Sequence, residues 1–453
     1  MNVIRMALCL VALAANAFAI KIEINKGKVS PDPIAIVEFY DRDGNDSKEG
    51  SEIAGIVSDD LQSSGLFIIV NKASFLEDKK ILCSRGPNIK NWNVLNARFL
   101  VYGKISGGFN PSISFTLVDV VAGTVMLNEE VSGKSSELRG IAHRVADIIY
   151  KRVTNDDGYF DSKIIYVETS DNSNPAKRKT RLVQIDQDGY NRKTLTDGRS
   201  LAITPRYGPN GVGAYILYDD SGKGILGKSA HVYTMNFSNG SSKLMISKEL
   251  MSKLVKKNHG NPVQMTYAPR FSPDGQRAVF ALIIDGNSAI YKIDLAANRL
   301  TQLTEHTCID TSPCYSRDGK RIIFTSNRQG KEAVYMMNED GSDAHKISQG
   351  DGKYSQPNWS PRDDLIAFSK QHGGRFSIGV MKPDGSGERL IISRYMAEAP
   401  DWLLNGRYIA FSGEARPGAK SELVIIDITG YHTRVVKTNG DASYPACSPR
   451  IAD

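Results

Sequence analysis

The sequence is poor in cysteine, in tryptophan and in long apolar runs. Five of its 453 residues are cysteine and three are tryptophan. A chain of this length buries a large core without disulfides, so sparse cysteine indicates that the fold does not depend on them. Cys308 and Cys314 could pair across a loop or remain free thiols. No stretch reaches the roughly 20 consecutive apolar residues of a membrane-spanning helix, so we expect no direct membrane span.

Charge and metal-binding residue types give no strong signal either. The formal net charge is +7, and no run of basic residues interleaved with aromatic ones indicates a nucleic-acid partner. The seven histidines never recur at spacings that would bring two of them to one metal ion, and no C-x-x-C pair occurs. A G-x-S-x-G nucleophile motif is also absent. We therefore expect no nucleic acid, no metal and no cofactor.

Residues 1–19 have the pattern of a secretory signal peptide. Arg5 is their sole charge, residues 6–15 form an apolar run, and Ala17-Phe18-Ala19 provides small residues at a cleavage site. The apolar run is too short to span a membrane. The sequence therefore predicts export and cleavage after Ala19.

A repeat organises the C-terminal two thirds of the chain. The stretch PRFSPDGQRAVF at 269–280 returns as PCYSRDGKRIIF from Pro313, PNWSPRDDLIAF from Pro357 and PDWLLNGRYIAF from Pro400. The four leading prolines are 44, 44 and 43 residues apart. A period of this length with strand-like contents is typical of β-propeller blades rather than of helical arrays. We call each such stretch a blade motif.

Each position of a blade motif has a physical role. The proline is expected to begin an extended strand, and the aromatic residue two places later is expected to pack between neighbouring sheets. An Asp-Gly or Asn-Gly pair then supplies the positive φ of a tight hairpin, except that the third of these copies has Arg362-Asp363 there. Two more strands complete a four-stranded sheet, and stacking such sheets around a ring buries both faces of each one.

The number of blade motifs predicts the number of blades. A weaker copy begins at Pro205, and a last one begins at Pro445, close to the end of the chain, which makes six. The last motif lacks the strands that should follow it, whereas residues 163–196 contain three strands that no motif precedes. We therefore expect a six-bladed propeller over residues 158–453, closed by residues 443–450 pairing with residues 163–196.

Residues 20–157 alternate strands with helices. Amphipathic stretches at 52–63 and 137–153 predict two helices, and short apolar runs predict five strands, at 34–39, 66–70, 99–105, 113–119 and 124–131. The polar stretch 154–158 is rich in residues that interrupt regular structure and marks the boundary. The expected fold is mainly β: a C-terminal six-bladed β-propeller preceded by a small α/β domain.

Three other stretches are expected to be loops. Gly222–Ser229 fits a phosphate-loop pattern, but the next residues align with a blade strand instead of a helix, so a hairpin loop is predicted. The acidic stretch from Asp41 lacks the glycine that a calcium loop needs at its sixth position. Residues 248–264 lengthen the spacing between two blade motifs and are predicted to be a basic loop with one helical turn.

The chain resembles the TolB family, periplasmic proteins of the Tol-Pal cell-envelope system. The resemblance rests on the signal peptide, the domain order, the P-x-[FWY]-S-P-D-G blade motifs, the stretch VSDDLQSSGLF at 57–67 and the terminal YPACSP. It covers nearly the whole exported chain. Cys447 departs from it, because tryptophan usually occupies that position in the family.

The resemblance implies a periplasmic interaction module that is not an enzyme and that supports outer-membrane invagination during cell division and envelope integrity. It implies that the propeller mouth binds Pal, the peptidoglycan-associated lipoprotein, and that the extreme N-terminus binds TolA, an inner-membrane protein. The matching residues at the mouth are Met265, Ala268 and Thr311. Those at the N-terminus are Ile20, Lys21, Ile22, Glu23 and Ile24.

An enzyme remains the alternative. A carbohydrate-active or peptidase-like propeller enzyme is conceivable, because Asp and Glu side chains on the inward side of a ring could act as acid and base. The sequence does not indicate which carboxylates those would be. Loss of hydrolysis on replacing paired channel carboxylates would favour the enzyme, and capture of partners without turnover would favour the interaction module.

Overall fold

The computed structural model describes residues 30–170, 179–219, 229–257, 264–284 and 286–449. The predicted cleavage site after Ala19 and the segment Ile20–Ile24 lie outside these ranges, as does most of the phosphate-loop-like stretch. Within them, no helix has both the length and the apolar character needed to cross a membrane.

The N-terminal part is a five-stranded sheet with helices, as predicted. Its strands follow the order β2-β1-β3-β4-β5, in which β1 runs parallel to β2 and β3 and the remaining pairs are antiparallel. Two short helices, α2 and α3, were not predicted from the sequence. The elements are β1 (Asp32–Ile36), α1 (Lys48–Ser63), β2 (Phe67–Ile69), α2 (Lys79–Arg85), α3 (Ile89–Val94), β3 (Phe99–Ser106), β4 (Ser112–Asp119), β5 (Thr124–Ser132) and α4 (Leu138–Thr154).

The described residues from 163 onward form six four-stranded antiparallel sheets, which confirms the six-bladed propeller. Five sheets are made of consecutive strands. These are β9 (Leu201–Tyr207), β10 (Val212–Asp219), β11 (Ser229–Asn236) and β12 (Ser242–Leu244); β13 (Gln264–Phe271), β14 (Arg277–Ile284), β15 (Asn287–Asp294) and β16 (Arg299–Gln302); β17 (Asp310–Tyr315), β18 (Arg321–Ser326), β19 (Ala333–Asn338) and β20 (His345–Lys346); β21 (Lys353–Trp359), β22 (Ile366–His372), β23 (Arg375–Met381) and β24 (Arg389–Arg394); β25 (Met396–Trp402), β26 (Tyr408–Glu414), β27 (Glu422–Asp427) and β28 (Thr433–Val436).

The sixth sheet joins the two ends of the propeller. It consists of β6 (Lys163–Ser170), β7 (Lys179–Asp186), β8 (Lys193–Thr194) and the last strand, β29 (Asp441–Cys447), in the order β29-β6-β7-β8. β29 runs antiparallel to β6, with Asp441 opposite Thr169 and Cys447 opposite Ile164. The six strands β29, β9, β13, β17, β21 and β25 contact one another in a closed cycle. They are therefore the innermost strands, and they surround the channel.

The motif prolines do not begin their strands, which corrects the expectation from the sequence. In all six blade motifs the proline lies inside the innermost strand, at a shift in the pairing register. In the five motifs other than the one at Pro269, the residue before the proline has a positive φ, between 47° and 54°. These residues are Thr204, Ser312, Gln356, Ala399 and Tyr444. The strand therefore continues through a bulge, and the ladder begins several residues before the proline.

The insertion between two blade motifs is more helical than predicted. Lys248–Lys257 form a ten-residue helix, α5, where the sequence analysis predicted a loop with one turn. Met251 is buried, and Leu250, Leu254 and Val255 pack against the apolar cluster shared by the β9–β12 and β13–β16 blades. Apolar residues three and four apart give this helix a packed side, so tertiary contact stabilises it despite its basic composition.

The α/β domain packs firmly on the propeller. Buried residues of α1 and α4 belong to the same apolar cluster as Leu403 and Tyr408 of the propeller. The Tyr408 hydroxyl donates to the Ser64 carbonyl at 2.8 Å, and the His432 ring lies 2.8 Å from the Ser63 carbonyl. The turn after α1 is thus fixed to the fifth blade by both apolar and polar contacts.

Candidate partner-binding site at the propeller channel

The channel has a sharp boundary between exposed and buried residues at the motif prolines. All six prolines are buried, whereas the residue two places before the proline is exposed or half-buried at five blade motifs. We call these five residues the mouth: Ile203, Thr311, Ser355, Glu398 and Ser443. Because equivalent strands occupy equivalent places in each blade, the mouth residues lie at one end of the channel.

The predicted Pal-binding residues lie on two adjacent innermost strands. Thr311 is half-buried on β17, opposite Thr325 of β18. Met265 and Ala268 lie on β13 of the neighbouring blade, and only their backbone is described. The structure therefore brings the three residues to one side of the ring.

Polar side chains fill the channel below the mouth. We call these residues the channel cluster: Arg206, Arg270, Cys314, Asn358, Asp401 and Cys447. The Arg270 guanidinium donates to Asp401 Oδ1 at 2.9 Å, and this bond joins blades on opposite sides of the ring. Asp401 also accepts from the Cys447 amide at 2.7 Å and from the Asn358 side chain. Asp401 thus binds three donors from three blades, and the cluster closes the channel.

The two arginines of the channel cluster have different electrostatic environments. Burial alone would lower the pKa of Arg270, but the Asp401 carboxylate more than offsets this and the pKa is raised. Arg206 is 4% exposed, and its Nη1 donates to the Pro205 carbonyl at 2.8 Å. Burial, followed by repulsion from Arg270, lowers its pKa to about 9. The cluster therefore carries more positive than negative charge, which is unsuited to holding a cation.

The thiols near the channel are free. Cys308, Cys314 and Cys447 form no disulfide among the described residues. The Cys314 thiol contacts Asn358 Oδ1 at 3.7 Å, whereas the Cys308 thiol contacts Asp310 Oδ1 at 3.3 Å in a separate cluster. Burial raises the pKa of both Cys314 and Cys447, so both remain neutral thiols at neutral pH. They fill space in the channel cluster.

Two polar contacts that organise the mouth were missed by the sequence analysis. Gln356 Oε1 accepts from the Ala399 amide of the next blade at 2.7 Å, which ties two mouth segments together. Asp310 is fully buried and accepts from Arg328 at 3.0 Å. A search at fixed offsets before each motif proline would have found both residues, because Gln356 immediately precedes one proline and Asp310 lies three residues before another.

Comparison with known families and structures agrees with this architecture. The model of the TolB beta propeller domain matches residues 150–451, and the model of the TolB amino-terminal domain matches residues 20–126. The crystal structure of TolB from Acinetobacter baumannii superimposes with a TM-score of 0.78 over 93% of this chain and 97% of that one. At 24% sequence identity, this likeness shows the shared fold.

One curated relative is closer in sequence. It is the Tol-Pal system protein TolB of Paramagnetospirillum magneticum (strain ATCC 700264 / AMB-1), which is 42% identical over 223 residues. The match covers 49% of this chain and 48% of the relative, so the chain spans about half of that relative's length in the match. The propeller model alone accounts for well over half of the present sequence, and from this we conclude that the chain belongs to the TolB family.

Proposed function

We propose that this chain is a periplasmic interaction module of the Tol-Pal system that binds two proteins at separate places. The propeller mouth binds a Pal-like lipoprotein through Met265, Ala268 and Thr311. The N-terminal segment Ile20–Ile24 binds a TolA-like inner-membrane protein. Joining these partners supports outer-membrane invagination during division.

The observation that carries the proposal is the boundary at the motif prolines. Above it lie the exposed and half-buried side chains of the mouth, and below it the bond between Arg270 and Asp401 crosses the channel. A shallow polar ring above a closed channel suits contact with another protein surface, since loops and strand ends on a rigid scaffold commonly carry such contacts. Asp401 is engaged by three donors, so it is not available as a catalytic acid or base.

The mouth is tested by charge substitutions. We expect Thr311→Arg or Ala268→Arg to weaken binding of the purified Pal-like lipoprotein domain by about a hundredfold or more, because an unpaired buried charge costs roughly 3–5 kcal/mol. Thr301→Arg is the matched control, since Thr301 is exposed on the outer strand β16. Isothermal titration calorimetry measures each affinity. Normal lipoprotein binding by folded Thr311→Arg and Ala268→Arg proteins would show that the mouth is not the contact.

The N-terminal contact is tested separately. Deleting 20–24 should abolish binding of the TolA-like domain and leave lipoprotein binding unchanged, because an alternating apolar and charged segment is suited to adding a strand to a partner's sheet. Sequencing the N-terminus of the exported protein should give Ile20 as the first residue. Binding of the TolA-like domain by the deleted chain would show that this segment is not the contact.

Turnover of an oligosaccharide or peptide by the purified protein would favour the enzyme alternative.

A further inference from the structure

A buried cluster of ionisable residues lies where the α/β domain meets the propeller. Asp60 belongs to α1, His143 to α4, Asp186 ends β7, and Asp188 lies in the turn that follows. We call these four residues the interface cluster. His143 is 1% exposed and Asp60 is 2% exposed. Ligand-type atoms of Asp60, His143 and Asp188 all lie within 4.8 Å of one another.

Asp60 fixes the orientation of the His143 ring. His143 Nδ1 lies 2.6 Å from Asp60 Oδ2, and Asp60 Oδ1 accepts from the Gln187 side chain at 3.0 Å. A carboxylate accepts hydrogen bonds, so this contact places a proton on Nδ1. The neutral ring then carries its lone pair on Nε2, the form in which histidine binds a metal ion.

The other ring nitrogen is buried without a hydrogen-bond partner among the described residues. His143 Nε2 lies 3.7 Å from Asp188 Oδ2 and 3.9 Å from Asp186 Oδ2. Both distances exceed those of hydrogen bonds. Two ligand atoms that share one tetrahedral zinc ion with bonds of about 2.0–2.2 Å lie roughly 3.3–3.6 Å apart, so both carboxylate oxygens would move closer to Nε2 when the ion binds.

The two carboxylates are held in place by other residues. Asp186 accepts from the Lys163 ammonium at 2.7 Å and from the side-chain amide of Asn191 at 2.6 Å. Asp188 accepts from the Arg139 guanidinium and, at 3.2 Å, from the Tyr190 amide. Hydrogen-bonded carboxylates of this kind are usual around metal sites, because outer contacts orient the ligands. Each Oδ2 retains a further lone pair for a metal ion.

We propose that His143 Nε2 and Asp188 Oδ2 bind a divalent transition-metal ion such as Zn²⁺, with Asp186 Oδ2 as a third ligand after a shift of its side chain, and with Asp60 as the residue that orients the histidine. One imidazole nitrogen and two carboxylate oxygens, with water in a fourth position, make a tetrahedral set that suits zinc better than magnesium or calcium. The ion would connect helix α4 of the α/β domain to the turn after β7 of the propeller. It would therefore fix the two domains relative to each other.

The test uses the full exported chain after treatment with a chelator. Titration with Co²⁺ at pH 7.5 should produce the visible absorption bands of a tetrahedral site, and Zn²⁺ should displace Co²⁺ with one ion per chain. Zn²⁺ should also raise the melting temperature. His143→Gln and Asp188→Asn should abolish the Co²⁺ bands, whereas Asp60→Asn should weaken affinity by about 10- to 100-fold.

A matched control variant and a spectroscopic measurement complete the test. His345→Gln is the control, because His345 is exposed and lies 3.8 Å from the carboxylate of Asp343 without further ligands near it among the described residues. The control should bind Co²⁺ as the unaltered chain does. Absence of the bands in the unaltered chain, or their survival in a folded Asp188→Asn protein, would overturn the proposal. So would nitrogen NMR that shows protons on both His143 ring nitrogens in the presence of Zn²⁺.

Discussion

At the scale of single residues, Arg206 and Arg270 are neighbours in the channel cluster, and we expect them to have opposite effects on stability. Arg270 pairs with Asp401, whereas the Arg206 side chain donates to the Pro205 carbonyl and its Nε has no partner among the described residues. We expect Arg270→Met to lower the free energy of unfolding by about 3–5 kcal/mol, since it leaves a buried carboxylate unpaired. Arg206→Met should raise it by about 1–3 kcal/mol, because it removes an uncompensated buried charge.

Urea denaturation of both variants measures this difference. Arg199→Met is the control, because Arg199 is exposed and its substitution should change stability little. A loss of stability in Arg206→Met comparable with that in Arg270→Met would mean that Arg206 is paired in solution.

We expect Glu398 at the mouth to make stability depend on pH. Burial, followed by repulsion from Glu414, raises the pKa of Glu398. The folded chain then holds this proton more tightly than the unfolded chain, so the contribution to stability is full below the unfolded pKa of about 4.3 and is lost as pH rises through the folded pKa. Glu398→Gln should therefore be more stable than the unaltered chain at pH 8, and the difference should shrink toward pH 4.

Thermal melts at a series of pH values test this expectation. Glu130→Gln on the edge strand β5 is the matched control, because Glu130 is exposed. A constant stability difference between the Glu398→Gln variant and the unaltered chain over the whole pH range would contradict the assignment.

At the scale of elements, helix α5 gains its stability from one packed side. Met251→Ala should lower the free energy of unfolding by about 2–4 kcal/mol, because Met251 is 6% exposed within an apolar cluster. Lys253→Ala is the control, since Lys253 is exposed on the same helix and alanine favours helices. Denaturation curves compare the two, and equal stabilities would show that α5 does not stay packed on the blades in solution.

The blade motifs show which structural features follow from sequence and which do not. Proline, an aromatic residue and Asp-Gly at fixed offsets predicted the blades, since each of these residue types has a role in strand, packing or turn formation that depends on its near neighbours in the sequence. Even the exceptional Arg362-Asp363 turn fits, because Asp363 adopts a φ of 64°. The bulge before the motif prolines was missed, because residues as different as Thr204, Gln356 and Tyr444 adopt the positive φ there. No residue type marks that position, and strand pairing imposes it.

The channel and interface clusters could not be predicted for a different reason. Arg270 and Asp401 are far apart in the sequence and meet only because their blades face each other across the ring. His143 and Asp60 meet through the packing of two helices.

At the scale of the whole molecule, the last strand completes the ring. Deleting 443–453 removes most of β29, exposes the edge of β6 and takes away the amide bond to Asp401. The expected cost is comparable with the total stability of a domain, about 5–15 kcal/mol. Deleting only 450–453 is the control and should leave the melting temperature unchanged. Cooperative melting of the longer deletion near the original temperature would show that the ring closes without this strand.

The sheet that joins both ends of the propeller also sets the order in which the chain can fold. Its strands β6, β7 and β8 leave the ribosome long before β29, so the inner edge of β6 stays unpaired until β29 has been synthesised. A ring that lacks β29 has an unpaired strand edge and unburied blade faces, so the incomplete propeller is not stable. The pairing of β29 with β6 thereby delays closure of the ring until the strands of all six blades have been synthesised.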